Sequence, residues 1–179
     1  MSDADDMTPV TPASLSELER MIHRLATQRA CLDYAVGLVA DVPGPVLELG
    51  LGKGRTYDHL RHRLPGREIF AFDRHLHAAL NCVPSAEHLV LGELFTTLQT
   101  APDTVGAPAA LVHADIGTVN PEADARAVAA LAPLIDALVC TDAVIVSDRE
   151  MTVRRWRALP LPDEATWPYF MYRVEAGDW

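Results

Sequence analysis

The chain has 179 residues, 49% of them hydrophobic and 22% charged, with a formal net charge of −10. These proportions are those of a globular protein, and a domain of this length buries roughly 70% of its unfolded surface, so it needs no disulfide or metal to fold. The negative charge, with no dense Lys/Arg stretch to offset it, speaks against a nucleic-acid partner; Lys53 is the sole lysine, which we ascribe to composition rather than function.

Residues 1–13 are rich in Asp, Thr and Pro without periodicity, and the expectation is a disordered tail ahead of a single domain over 14–179. Ser14 and Glu17 have the S-x-x-E spacing of a capping box and predict a helix start. Leu15, Leu18, Ile22, Leu25, Leu32, Val36 and Val39 follow at helical spacing, interrupted by Arg29. Val42-Pro43-Gly44-Pro45 ends that helix. Strand and helix patterns then alternate. PVLELG (45–50) is a strand and Lys53–Leu64 an amphipathic helix. EIFAFD (68–73) is a strand, followed by a short helix or turn over 74–80. EHLVLG (87–92) is a strand, then a short helix over 93–99 and a Pro/Gly loop through Pro108. AALVHAD (109–115) is a strand, Glu122–Val139 a helix with Pro121 in its first turn, and DAVIVSD (142–148) a strand. Five apolar strands separated by helices predict a doubly wound, mostly parallel sheet covered on both faces. WRALPLP and WPYFMYRVEA, joined by Pro162-Asp163-Glu164, leave no room for a crossover helix and predict a C-terminal antiparallel hairpin.

Three cysteines, Cys31, Cys82 and Cys140, stand far apart without a CxxC pair, so buried reduced thiols in a cytoplasmic protein are expected. The acidic, polar N-terminus is unlike a secretory signal. No apolar run approaches the ~20 residues of a membrane helix, so no membrane association is expected.

The sharpest local feature is VLELGLGKG (46–54), where a strand passes into a helix through Gly50, Gly52 and Gly54. Glycines allow a tight turn and close approach to a ligand, and the helix start presents free N–H groups to it. A dinucleotide loop would place a third glycine at position 55, which is Arg55. Asp73 ends the next strand 23 residues after Gly50, where an acid can accept both hydroxyls of a ribose. The alternative for Asp73 is a helix cap. Gly92-Glu93 ends the third strand.

The spacing Glu48-x-Gly50-x-Gly52-x-Gly54, then Asp73, then Gly92-Glu93, followed by a final antiparallel pair, resembles class I S-adenosylmethionine-dependent methyltransferases. It is similar in particular to small stand-alone bacterial members. The resemblance runs from Pro45 to the C-terminus and implies a Rossmann-like fold, with an added N-terminal helix here. It implies S-adenosyl-L-methionine as cofactor, held by Glu48, Gly50, Gly52, Gly54, Arg55, Thr56, Asp73, Arg74, Gly92 and Glu93. In this reading Glu48 faces the amino end of the methionine moiety, Asp73 the ribose, and Gly92-Glu93, where the family commonly has Gly-Asp, the adenine. The alternative for Glu48 is a cap on the loop's own N–H groups.

Methyl transfer from a sulfonium needs alignment above all, and a base only if the acceptor must lose a proton. His113 and Asp115 flank Ala114 at the end of the fourth strand, and alternation puts both on one side. They are the candidate catalytic residues; the alternatives are a bonded histidine of the pocket wall and a loop cap. No metal site is expected from the histidine spacing. With almost nothing between Asp148 and Trp156, the chain has no lid, and the acceptor is expected to be a small molecule. A homo-oligomer with the N-terminal helix at its interface is expected as well. A cofactor-binding module without catalysis is the second reading, and a nicotinamide oxidoreductase with a degenerate loop the third.

Overall fold

A computed structural model describes residues 14–118 and 120–177; the tail expected over 1–13 lies outside them. The described chain runs α1 (Glu17–Leu38), β1 (Val46–Leu49), α2 (Arg55–Arg63), β2 (Ile69–Asp73), β3 (Leu89–Leu91), α3 (Leu94–Val105), β4 (Ala109–Ala114), α4 (Pro121–Ala137), β5 (Val139–Ser147), β6 (Trp156–Ala158) and β7 (Phe170–Val174). These strands form one sheet in the order β3-β2-β1-β4-β5-β7-β6. The first five are parallel, and β7 runs antiparallel to both β5 and β6. The last strand of the chain thus inserts beside β5, and the hairpin partner β6 is left at the edge.

Strand alternation builds two cores. Leu47, Leu49, Phe70, Phe72, Val112 and Ile145 pack against Leu98 and Ala101 of α3 and Leu131 and Ile135 of α4. Val46, Ile69, Ala71, Leu111, Val144 and Val146 face Cys31, Leu32 and Ala35 of α1 and Tyr57 and Leu60 of α2. Cys31 and Cys82 are buried and all three cysteines are unbridged; burial pushes the Cys31 thiol up to about 11, leaving it unreactive. No helix among the described residues is long and apolar enough to cross a membrane.

Four boundaries differ from the sequence expectation. The capping box of α1 uses Ser16 and Glu19, two residues later than Ser14 and Glu17. The Ser16 hydroxyl accepts from the Glu19 N–H, and Glu19 accepts from the Ser16 N–H at 2.8 Å. Two overlapping S-x-x-E spacings exist, and sequence periodicity alone does not choose between them. α3 runs through Pro102 to Val105, because Leu98, Ala101 and Val105 all have core to bury; Gly106, at φ 73°, then closes it by donating to the Pro102 carbonyl. α4 stops at Ala137 and β5 starts at Val139, three residues before Asp142. Asp142 has φ 65°, and the β4–β5 register shifts between Ala109 and Leu111, so a bulge separates the early residues of β5 from its regular part. Finally, β6 and β7 are short, and the 159–169 connection returns across α1. There the Trp167 N–H donates to Thr27 Oγ1 at 3.0 Å, and Thr166 Oγ1 lies 2.7 Å from His23 Nδ1.

Candidate active site

The glycine loop lies at the C-terminal ends of β1, β2 and β4, the position where open α/β sheets bind ligands. Its three glycines do different work. Gly50, at φ 90°, passes so close to β4 that a Cβ would stand 2.3 Å from the Asp115 carbonyl oxygen. At Gly54, the cap of α2 with φ 76°, a Cβ would stand 2.7 Å from Cys82. Gly52, at φ 51°, is different, because a Cβ there would meet nothing within 4 Å. Gly50 and Gly54 are therefore packed against the protein, while Gly52 faces open space. The Gly52 N–H donates to Asp73 Oδ2 at 2.7 Å, and the His75 N–H donates to Oδ1 at 3.1 Å. The tip of β2 is tied in this way to the loop of β1.

Two adjoining clefts open here and share Gly50, Asp73 and Ile116. The first, of about 480 Å³, lies between Gly92, Glu93, Leu94 and Phe95 on one side and Ile116, Thr118 and α4 on the other. Glu93 and Arg74 form an ion pair on its exposed rim, Nε to Oε1 at 2.6 Å. The second, of about 370 Å³, lies between the glycine loop and α1 and is lined by Arg24, Gln28, Gly52, Lys53, Arg55, Thr56 and Asp115. Lys53 and Arg55 are exposed.

Behind the second cleft runs a buried polar chain. Glu48 and His113 stand opposite one another in the β1–β4 register, and neither has any exposed surface. Glu48 accepts from the Thr56 hydroxyl and bonds His113 Nδ1 at 2.9 Å. His113 Nε2 meets the Tyr169 hydroxyl at 2.6 Å, and Gln28 Nε2 donates both to that hydroxyl at 3.4 Å and to Asp115 at 3.0 Å. Arg24 closes the chain with its Nη2 on both Asp115 oxygens, at 2.6 and 2.7 Å. Burial holds Tyr169 well above its ordinary range, so its hydroxyl keeps its proton. The count of hydrogens then puts the ring proton of neutral His113 on Nδ1, facing Glu48, with Nε2 accepting from Tyr169. Burial by itself would lower His113, but the Glu48 carboxylate outweighs it and leaves the imidazole above its usual value.

Glu48 and His113, both expected at the ligand, are buried behind the second cleft. Glu48 lines neither cleft and does not cap the glycine loop; its carboxylate is consumed by Thr56 and His113. His113 lines neither cleft, and both of its ring nitrogens are engaged within the protein. Asp115 and His113 do share a side of β4, but Asp115 alone lines a cleft. Asp73, Arg74, Gly92 and Glu93 line the first cleft, and Arg55 and Thr56 the second.

The loop after β4 is fixed by a second network. The Asp124 carboxylate accepts from the Thr118 N–H and hydroxyl and pairs with Arg149 at 2.9 Å. Those bonds with Thr118, then Arg149, keep Asp124 below its ordinary value. Asp148 accepts from the Ile116 and Gly117 N–H groups and pairs with Arg149 at 3.0 Å. Burial, then the nearby Asp115 charge, raise it. Asp148 and Arg149 thus hold the loop that walls both clefts. Arg24, Gln28, Tyr169, Phe95 and Asp124 were not among the residues the sequence pointed to. For Arg24 and Gln28 a signal existed, since polar side chains recur at i and i+4 on a helix otherwise patterned for a core.

Comparison with known proteins agrees with this fold. A family model described as S-adenosyl-L-methionine methyltransferase matches residues 15–174. The crystal structure of an S-adenosyl-L-methionine methyl transferase from Silicibacter pomeroyi DSS-3 is 40% identical, covers 89% of this chain and 99% of its own, and superposes with a TM-score of 0.83. The calicheamicin methyltransferase CalS11 (16% identity, 87% and 79% coverage, TM-score 0.57) shares the fold. So does a putative caffeoyl-CoA O-methyltransferase from Staphylococcus aureus (9%, 92% and 94%, 0.57). No relative matches among curated proteins. A parallel sheet with β7 inserted antiparallel, a glycine loop open at Gly52 and a family match over nearly the whole chain lead to one assignment: this chain belongs to the S-adenosyl-L-methionine methyltransferase family.

Proposed function

We propose that this S-adenosyl-L-methionine-dependent enzyme methylates a small molecule, with the cofactor lying across the two adjoining clefts. The observation that carries the reading is the open space at Gly52, in the wall of the second cleft, on a loop tied to Asp73 where the two clefts join. A bound cofactor supplies a methyl group already activated on a sulfonium. The rest of the work falls to this chain's residues. Asp73 accepts from the ribose hydroxyls at the junction of the clefts. Gly92, Leu94 and Phe95 offer backbone and apolar surface to the adenine, with the Arg74–Glu93 pair at the rim. The Gly52 backbone permits close approach of the methionine portion, which enters the second cleft. Thr56, whose hydroxyl is committed to Glu48, anchors α2 beneath it.

Alignment carries the catalysis in this reading, because no imidazole among the described residues lines either cleft. The −10 net charge, with no lid element among the described residues, favours a small acceptor over nucleic acid, and a cytoplasmic setting fits the unbridged cysteines. Leu18, Met21 and Ile22 of α1 are exposed together, which supports a homo-oligomer joined through that helix.

The test has two arms. Calorimetry of S-adenosylhomocysteine and of NADH should show binding of the first and no comparable binding of the second; the reverse refutes the cofactor placement. Screening small amines, phenols and carboxylates with S-adenosylmethionine should yield S-adenosylhomocysteine in an acceptor-dependent manner. Turnover confined to nucleic acid or protein acceptors refutes the small-molecule assignment.

A further inference from the structure

The N-terminal half of α1 is turned the opposite way from a helix that merely covers a sheet. Such a helix buries its apolar stripe. Here Leu18 and Ile22 are 70% and 56% exposed, while Arg24 and Gln28 reach inward to Asp115. The bonds between Arg24 and Asp115 use one guanidinium nitrogen, Nη2, for both carboxylate oxygens. Among the described residues Nε and Nη1 of Arg24 have no hydrogen-bond partner. Arg24 and Asp115 both line the second cleft, next to Gly52.

We propose that Arg24 and Asp115 are the seat for the amino-acid end of the cofactor, Arg24 holding its α-carboxylate and Asp115 its α-ammonium. This rests on the placement of the methionine portion in the second cleft. The carboxylates supply the argument. An ammonium entering that cleft needs an acceptor, and Glu48, on the strand that feeds the glycine loop, is fully buried and committed to Thr56 and His113. Asp73 is bonded to the Gly52 and His75 N–H groups at the cleft junction, on the ribose side. Among the described residues Asp115 is the remaining carboxylate that lines the cleft.

An arginine–aspartate pair also matches a zwitterion in charge. Each ligand group meets its opposite, and neither protein charge is left alone when the ligand departs. Lys53 and Arg55 line the same cleft as cations, but among the described residues neither pairs with a carboxylate. Arg24 is held by Asp115, and Asp115 by Gln28, which is backed in turn by Tyr169, His113 and Glu48. Such backing fixes a binding group before its ligand arrives. α1 then contributes directly to cofactor binding, and its exposed apolar residues are the consequence of turning the polar face inward.

Calorimetry with two ligands tests this on the full chain. S-Adenosylhomocysteine carries the amino-acid end; 5′-methylthioadenosine has the same adenosine and thioether without it. Wild type should bind the first at least about tenfold more tightly. Arg24→Met keeps an apolar stem and removes the charge. It should weaken S-adenosylhomocysteine by about tenfold to a hundredfold, the range for a lost hydrogen bond to a charged group, and leave methylthioadenosine within about twofold. Arg24→Met combined with Asp115→Asn removes the orphaned carboxylate and should show the same split, while Arg24→Lys should recover part of the loss. Retained methylthioadenosine binding reports an intact fold in each variant. Equal losses for both ligands, or no loss for either, overturn the seat. Wild type that binds methylthioadenosine with no advantage for S-adenosylhomocysteine overturns the seat alone. Wild type that binds neither overturns the cofactor placement and the seat with it.

Discussion

Substituting alanine at each of the three loop glycines separates packing from ligand approach. All three have positive φ, so each alanine pays about 1–2 kcal/mol of backbone strain. At Gly50 a Cβ would also stand 2.3 Å from the Asp115 carbonyl oxygen, a backbone atom held in place because the Asp115 N–H donates to the Leu49 carbonyl at 3.0 Å. Overpacking of that kind adds about 1–3 kcal/mol, so Gly50→Ala should cost about 2–5 kcal/mol in all. Gly54→Ala meets Cys82 at 2.7 Å, partly side chain, and should fall between. Gly52→Ala meets nothing and should cost the strain alone, about 1–2 kcal/mol. At about 2–4 °C per kcal/mol for a chain of this size, Gly52→Ala should melt several degrees below wild type and clearly above Gly50→Ala. Its loss should appear instead in binding: S-adenosylhomocysteine affinity, read by calorimetry on folded protein, should fall at least tenfold, and Gly52→Val should abolish it. A Gly52→Ala protein as unstable as Gly50→Ala, or one with wild-type affinity, would refute the division of the loop into packed and open glycines.

Asp73→Asn should weaken S-adenosylhomocysteine several-fold in calorimetry, since hydrogen bonds to charged groups are worth about 1.5–3 kcal/mol and the amide keeps only part of the accepting capacity; unchanged affinity would remove Asp73 from the ribose. The raised imidazole of His113 implies a stabilising contribution that is whole below the ordinary histidine value of about 6.5 and is lost as pH climbs through its higher folded value. Urea midpoints should therefore decline on the alkaline side in wild type and lose that component in His113→Gln; identical profiles would contradict it. Ser16→Ala should destabilise by about 0.5–2 kcal/mol in urea unfolding, as expected for a lost helix cap, and no change would return the helix start to Ser14. Light scattering at tens of micromolar should detect an oligomer that Ile22→Asp dissociates, whereas monomeric wild type would count against the α1 interface.

How much of this was legible beforehand follows the range of the interactions. The β1–loop–α2 unit, Asp73 at the tip of β2 and Gly92-Glu93 after β3 are readable because each is a local pattern: a short apolar run, then turn residues, then an amphipathic segment. The antiparallel pairing of β6 and β7 was readable because a short joint leaves no alternative. Boundaries were less so. Pro102 suggested the end of α3, but burial of Leu98, Ala101 and Val105 outweighed one lost backbone bond.

What only the tertiary structure decided is everything that depends on register and strand order. Glu48 meets His113 across 65 residues because β1 lies beside β4 with those two positions opposed. Arg24 meets Asp115 across 91 residues because α1 packs against β4 and β5, and Gln28 meets Tyr169 across 141 because β7 slots beside β5 and its leading connection folds back over α1. The helical stripe on α1 was visible in the sequence, but which half of it would be buried was not. Periodicity reports a helix's own faces, and only the partner surface determines which face turns inward, here a polar one carrying Arg24 and Gln28 toward a cleft walled by the glycine loop and the loop after β4.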